Sequence, residues 1–318
     1  MQSLFLDYAT VDPGRELDLS RLMATLPGLR VYAHTADDDL DLRLHAAEVV
    51  LLNRVPMTRA RITAASRLRL IGLTATGTNN VDLAAARERG VAVCNISEYC
   101  TQSVVQHVFA VLLTLTHRIR EYDRALKAGA WVSGSTAEPP QFPIRELAGR
   151  MLCIVGYGVL GRGVARVADT LGMRVEVANR PGGERVAGRS DLAELLPALD
   201  VLTLHCPLNA ATENLIGELQ LARMKRDAVL INTARGRLVD ANALCAALRA
   251  HRLGGAAIDV FAEEPPLAGD PLLAPDLDNL IVTPHVAWAA LESRQRALDE
   301  LAANIADVLA GGCRGRVA

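Results

Sequence analysis

Aromatic side chains are scarce: Phe, Tyr and Trp together make up 3% of the 318 residues. Half of the sequence is nevertheless apolar, so its cores must be built from Ala, Val, Leu and Ile. Charge of one sign is also missing. The 34 basic residues meet 36 acidic ones, and the net charge of -2 gives no electrostatic reason to expect nucleic acid or an anionic membrane as partner. The longest apolar stretch, Val108 to Thr116, falls far below the roughly 18 residues that span a bilayer. The six cysteines, at 94, 100, 153, 206, 245 and 313, form no Cys-x-x-Cys pair and no zinc-ligand spacing with a histidine. Buried, reduced thiols and no metal site are expected. The opening residues MQSLFLDYATVDPG lack the basic start and apolar core of a signal peptide, so a cytoplasmic protein is expected.

The length fits about two domains. Short β-rich runs at Leu4–Asp7, Val49–Leu52, Leu70–Leu73 and Val91–Val93 alternate with helical segments such as Asp82–Arg89. Such alternation implies a parallel sheet with helices on both faces. One long helix is then predicted over Thr101 to Lys127, followed by an irregular stretch, Trp131 to Pro143, with three prolines. The alternation restarts at Met151 with MLCIVGYG, MRVEVAN, VLTLHCP, AVLINTA, AAIDVFA and LIVTPH, six buried strands, the count of a full dinucleotide-binding sheet. After His285 the chain reads as helical to about Leu309.

Gly156, Tyr157, Gly158, Val159, Leu160 and Gly161 fit G-x-G-x-x-G, placed after an apolar strand and opening a helix. In that context the first glycine allows a tight turn, the second lets a pyrophosphate approach, and the third lets helix pack on strand. The next strand ends at Asn179-Arg180, 23 residues after Gly156, where an acidic residue would grip the ribose of NAD. Asn179 removes the charge that repels a 2′-phosphate, and Arg180, with Arg185 and Arg189 near, can pair with one. NADP(H) is expected ahead of NAD(H), with both usable; Arg180 also reads as a solvated loop arginine.

Arg235 in INTARG, Glu264 in DVFAEEP and His285 in VTPH fall at the carboxyl ends of strands, where open α/β sheets place ligands. Arginine offers a forked pair of donors to a carboxylate and a carbonyl. Histidine exchanges protons near neutral pH, and a carboxylate beside it fixes its tautomer. Singly, the three also read as a surface charge, a turn residue and a helix cap. His34, His45, His117 and His251 read as ordinary surface or core residues, His107 as structural, and His205 as touching cofactor without doing chemistry.

Seven segments now converge: ATGTNNVD (75–82), SVVQHV (103–108), VGYGVLG (155–161), LTLHCPLNAATENLIG (202–217), INTARGRLVD (231–240), AAIDVFAEEPP (256–266) and VTPHVAW (282–288). Across essentially its whole length the sequence resembles the D-isomer-specific 2-hydroxyacid dehydrogenases. Within them it is similar to the glycerate dehydrogenase or hydroxypyruvate reductase subgroup, on HVAWAALESRQR and FLDYAT. The resemblance implies two Rossmann-like, doubly wound parallel-sheet α/β domains with a cleft between them. A flavodoxin-like substrate domain would comprise 1–98 and 290–318, and a dinucleotide-binding domain 99–289. It implies Arg235 as substrate clamp, Glu264 orienting and charging His285, and His285 as general acid/base. Substrate would also meet Asn53, Ala75, Thr76, Gly77 and Trp288. Cofactor would also meet Val104, His205, Cys206, Pro207, Thr212, Thr233, Ala234 and Asp259. Hydride transfer to a small 2-keto acid, hydroxypyruvate or glyoxylate, gives the D-hydroxy acid. The family further implies a homodimer built on the dinucleotide-binding domain, to which the apolar run Val104–Leu115 and Trp131 would contribute. Two alternatives share the scaffold, a dinucleotide-sensing corepressor-like binding protein and a phosphonate-type oxidoreductase. Glutamate at 264 argues against formate dehydrogenase.

Overall fold

The computed structural model describes residues 1–132 and 138–318. The chain packs as two units, one of Met1–Cys100 with Trp288–Ala318, the other of Thr101–Ala287.

The first unit holds five parallel strands: β1 (Ser3–Phe5), β2 (Arg30–Val31), β3 (Val49–Leu52), β4 (Leu70–Leu73) and β5 (Ala92–Cys94). They lie in the order β2-β1-β3-β4-β5, the flavodoxin-like arrangement. The side-chain period of two sorts each strand between two cores. Leu4, Val50, Leu52, Ile71 and Val93 pack with Leu40, Ile62 and Ala86. Phe5, Val49, Leu51, Leu70 and Ala92 pack with Leu22, Leu301 and Ile305. The helix Leu291–Leu309 returns to this sheet. It lies close on β4: a Cβ at Gly72 would stand 3.0 Å from Leu301 Cδ1. The tail then pairs with β5 through Val317 N–H to Val93 O at 2.8 Å.

The second unit holds six parallel strands: β6 (Met151–Val155), β7 (Arg174–Ala178), β8 (Val201–Leu204), β9 (Val229–Asn232), β10 (Gly255–Ile258) and β11 (Leu280–Val282). All six strands expected from the sequence are present. Their order is β11-β10-β9-β8-β6-β7, which puts β6 one strand from the edge. Beyond β7 the chain makes a single bridge, Ala178 with Ser190. The order reverses between β6 and β8, so the carboxyl ends of these two strands flank the ligand crevice of such a sheet.

The helix predicted over 101–127 is two helices, Thr101–Thr116 and Ile119–Lys127, separated by Arg118 at φ +55°. The Thr114 and Thr116 hydroxyls donate back to the carbonyls of Ala110 (2.7 Å) and Leu112 (3.0 Å), contacts that bend helices. Apolar periodicity carries no trace of them. The first of these helices buries Val104, Val105, Val108, Phe109 and Leu112. It packs against the helix Val159–Thr170, where a Cβ at Gly163 would meet Val105 Cγ2 at 2.8 Å. The apolar run Val104–Leu115, expected to supply an interface, is therefore largely spent inside its own unit. Of the irregular stretch 131–143, residues 133–137 lie outside the described residues; 138–143 form no regular element.

All six cysteines are free, but Cys313 is exposed and Cys100 half-buried, which corrects the expectation of uniformly buried thiols. Burial pushes the Cys94 and Cys153 thiols up to about 12. Among the described residues no helix is long and apolar enough to cross a membrane.

Candidate active site

The glycine loop follows β6 directly, and its three glycines are bare for different reasons. Gly156 sits at φ +98°, and a Cβ there would lie 2.5 Å from the His205 carbonyl carbon. Gly161 would clash with the Gly156 carbonyl oxygen at 2.2 Å. Both are demanded by the chain's own packing. Gly158 is not: nothing of the protein lies within 4 Å of its missing Cβ. Space kept open at the mouth of a helix N-terminus suits an anionic ligand. Two polar atoms enclosed at neighbouring strand ends, His205 Nδ1 and Thr233 Oγ1, have no hydrogen-bond partner among the described residues. Buried polar atoms are normally paired, so these two fit a ligand that the chain does not itself supply. A nicotinamide dinucleotide matches the loop, the open glycine and the orphaned atoms together. His205 Nε2 lies 2.9 Å from Thr203 Oγ1, and burial lowers the pKa of its ring to about 4. Burial thus favours its neutral imidazole, a poor general acid.

At the end of β7, Asn179 is buried and turned inward. Its Nδ2 donates to Asp191 Oδ1 at 2.9 Å and its Oδ1 accepts the Val186 N–H at 3.0 Å. These bonds staple the 186–191 segment to the strand end. Asn179 and Arg185 hold the Asp191 carboxyl below the usual range. Arg185, expected to assist with a 2′-phosphate, is instead in an ion pair with Asp191. Arg180 is exposed, and the Arg189 guanidinium lies 5.4 Å from the centre of the Tyr157 ring.

The residues expected to react stand at the ends of β9, β10 and β11. Buried Asn232, the last residue of β9, clamps the following turn. Its Oδ1 accepts the Ala234 N–H at 3.0 Å, and its Nδ2 donates to the Arg235 carbonyl at 2.8 Å. Arg235 is half-buried, with Nη1 donating to Ala234 O at 2.7 Å. Gly236 presses on the next loop, where a Cβ would stand 2.0 Å from the Phe261 carbonyl carbon. That close approach joins the Arg235 turn to the loop carrying Glu264. Glu264 Oε1 accepts the Phe261 N–H at 3.1 Å, and its Oε2 lies 2.6 Å from His285 Nδ1. A carboxylate only accepts, so Nδ1 carries the hydrogen. The two side chains remain 31% and 27% exposed, histidine first, within reach of a ligand.

His285 itself is left-handed, at φ +55°. That backbone is uncommon outside glycine, and here two acceptors hold its N–H: Asp259 O at 2.7 Å and Thr283 O at 3.0 Å.

The first unit, described by itself, holds other sequence-predicted residues. Buried Asp7, just beyond β1, accepts the N–H groups of Asn53 (2.9 Å), Arg54 (2.6 Å) and Val55 (3.2 Å). Asn53 Nδ2 donates to Thr10 Oγ1 at 2.9 Å. The Ala75–Gly77 loop after β4 is pinned by Asn95 Nδ2 to Thr76 O at 2.7 Å. Trp288 sits edge-on to Tyr99, ring centres 6.3 Å apart.

Comparison with known proteins decides the family. Residues 109–287 match the family model described as D-isomer specific 2-hydroxyacid dehydrogenase, NAD binding domain. The chain is 43% identical to a glycerate dehydrogenase of Methylorubrum extorquens, over 85% of each chain. The chain belongs to the D-isomer specific 2-hydroxyacid dehydrogenase family. This dehydrogenase is also 35% identical to a hydroxypyruvate reductase of Blautia hydrogenotrophica, over 98% of each chain. Among solved structures it is similar to an acyclic imino acid reductase in complex with NADPH and D-Arg, at 28% identity, TM-score 0.86 and full coverage of both chains. It is an oxidoreductase acting on CH–OH groups with a nicotinamide dinucleotide. A corepressor-like or phosphonate-oxidising reading of the scaffold is not favoured by these relatives.

Within the dehydrogenase, three residues expected as cofactor contacts also have roles inside the chain. The Thr212 hydroxyl donates to Pro207 O at 2.8 Å and accepts the Asn209 N–H, closing its own loop. Asp259 is buried, and its carboxylate accepts the N–H groups of Val286 and Ala287, each at 2.9 Å. Val104 is buried in its helix. Cys206 is also buried, its thiol pushed up to about 11, whereas Pro207 beside it is exposed. Sequence reasoning missed Asp7 and Asn232. Each is a polar residue closing an apolar strand, a position where a side chain often satisfies the turn that follows.

Proposed function

We propose that this dehydrogenase reduces hydroxypyruvate to the D-2-hydroxy acid D-glycerate, or glyoxylate to glycolate, and runs the reverse oxidation. The observation that carries the site assignment is the 2.6 Å contact between His285 Nδ1 and Glu264 Oε2, beside the clamped Arg235 turn. The substrate choice follows the two relatives above, whose names are glycerate dehydrogenase and hydroxypyruvate reductase.

In this reading the Gly156–Gly161 loop, His205, Cys206, Pro207, Thr233 and Ala234 hold the cofactor, the unit of Thr101–Ala287 serving as its domain. When bound, the nicotinamide supplies a hydride to the substrate's C2, or accepts one from it. Arg235 pairs with the substrate carboxylate and carbonyl, fixing the reacting carbon. Asn53, the Ala75–Gly77 loop and Trp288 are further residues proposed for the substrate. His285 Nε2 gives its proton to the carbonyl oxygen in reduction and takes it from the hydroxyl in oxidation. Glu264 keeps Nδ1 protonated throughout and balances the imidazolium. A panel of 2-keto acids assayed with NADPH and NADH tests this; preference for pyruvate or for a phosphorylated keto acid would contradict it.

NADP(H) is the favoured cofactor. Asn179 carries no charge to repel a 2′-phosphate, and exposed Arg180 follows it. Arg189, over Tyr157, replaces Arg185 as the second basic group, since Arg185 is paired. A charge-assisted contact contributes roughly 1.5–3 kcal/mol, so kcat/KM should favour NADPH by about tenfold. Arg180→Ala should shrink that ratio and Asn179→Asp should reverse it. Wild type preferring NADH, with Arg180→Ala leaving the ratio unchanged, would overturn the assignment.

The protein is proposed to be a homodimer through the second unit. Ile119, Trp131, Val132 and Ile144 of that unit are each more than half exposed, an apolar surface that a second copy would cover. Sedimentation should give about twice the 34.0 kDa chain mass; a monomer at micromolar concentration would contradict it.

A further inference from the structure

The turn that carries His285 is held from below by the helix Thr101–Thr116. Two residues one helical turn apart reach it. Ser103 Oγ donates to Ala287 O at 2.6 Å. His107 Nε2 lies 3.3 Å from Thr283 Oγ1 and 4.0 Å from Asp259 Oδ1. The Thr283 hydroxyl has one hydrogen, and it goes to Asp259 Oδ1 at 2.5 Å. Towards His107 that hydroxyl can therefore only accept, so His107 Nε2 must carry a hydrogen. The resulting chain runs from His107 to Thr283, to the buried Asp259 carboxylate, and on to the N–H groups of Val286 and Ala287. Asp259 also supplies the carbonyl that holds the His285 N–H.

We infer that His107 is a positioning residue of the reaction: as donor to Thr283 it locks the hydroxyl onto Asp259 and so fixes the left-handed turn that presents His285. This rests on the reading of His285 as acid/base. A merely space-filling His107 would need no donor at Nε2. A positioning His107 needs that hydrogen, and its effect must pass through Thr283.

The test uses the full-length enzyme, reduced cofactor and hydroxypyruvate, with His107→Leu, His107→Gln, Thr283→Val and the double variant His107→Leu/Thr283→Val. His107→Leu should lower kcat about tenfold, short of the ~10²-fold cost of a 1 Å misplacement, and leave the KM for cofactor unchanged. His107→Gln, whose amide offers a hydrogen near the same place, should recover most of kcat. Thr283→Val should lose as much as His107→Leu, and the double variant no more than either alone, because both act through one chain. Turnover of His107→Leu within twofold of wild type, failure of glutamine to rescue, or losses that multiply in the double variant would each overturn the inference. Should His107→Leu not fold, His107→Gln and Thr283→Val decide it: near-wild-type kcat in the first with a clear loss in the second supports it, and any other pairing overturns it. His285→Ala, run alongside, separates the two levels. Its retaining turnover would remove the underlying reading, whereas an inactive His285→Ala beside an unaffected His107→Leu would remove only the role of His107.

Discussion

His285→Ala is expected to cost about 10²–10⁴-fold in kcat while cofactor affinity stays near wild type. The expectation is geometric. Glu264 Oε2, 2.6 Å from Nδ1, fixes the tautomer of the ring, and the turn held by Asp259 and Thr283 fixes where it points. Alanine removes the imidazole and leaves the substrate oxygen without its proton source. The loss corresponds to about 3–5 kcal/mol of transition-state stabilisation. The glycine loop lies at a different strand end, so cofactor titration by fluorescence should give an unchanged Kd. A variant that turns over at near wild-type kcat would show that another group transfers the proton. His205 is the next histidine at a strand end of this sheet. Its pKa of about 4 makes it a poor substitute at neutral pH.

Arg235→Lys should be nearly as damaging, although it keeps the charge. Arginine's planar fork can bind a carboxylate oxygen and a carbonyl oxygen together, whereas a lysine ammonium is a single point charge on a flexible stem. The protein orders this fork at some length, with Asn232 bonded to both sides of the turn and Gly236 pressed against the Phe261 carbonyl. Losing two charge-assisted contacts of about 1.5 kcal/mol each predicts a drop of roughly 10²-fold in kcat/KM. Both parameters should move, KM through weaker binding and kcat through a poorly aimed carbonyl. Steady-state kinetics on a variant of unchanged melting temperature is the check. Wild-type behaviour would show that Arg235 does not hold the substrate.

The parts of this molecule legible in the sequence are those in which one residue type answers to one physical demand. Buried parallel strands read as unbroken aliphatic runs, and the six strands of the second unit were found that way. Arg235, Glu264 and His285 could be placed at strand ends because those ends are where the aliphatic runs stop. The side-chain bonds that shape the site were not legible. Asn179 reads in the sequence as a missing charge, and its amide is turned inward onto the 186–191 segment. Arg185 looked like a phosphate ligand until Asp191, six residues on, proved to be its partner. Asp259, expected at the nicotinamide end, also has a carboxylate that serves the backbone at 286 and 287. Each of these depends on where a loop folds back, and no local pattern encodes that. The break at Arg118 escaped for a related reason. Helical periodicity reports which face is apolar, and that face runs on past the point where threonine hydroxyls bend the chain.

The central claim is that, with hydride supplied by the reduced dinucleotide, one proton donor and one arginine clamp direct reduction of hydroxypyruvate to a single enantiomer. The most direct measurement is the product formed from hydroxypyruvate and reduced cofactor, quantified by chiral chromatography against the cofactor consumed. D-glycerate in a one-to-one ratio with oxidised cofactor is the predicted result. L-glycerate, or no consumption of either reduced cofactor with hydroxypyruvate or glyoxylate, would contradict it.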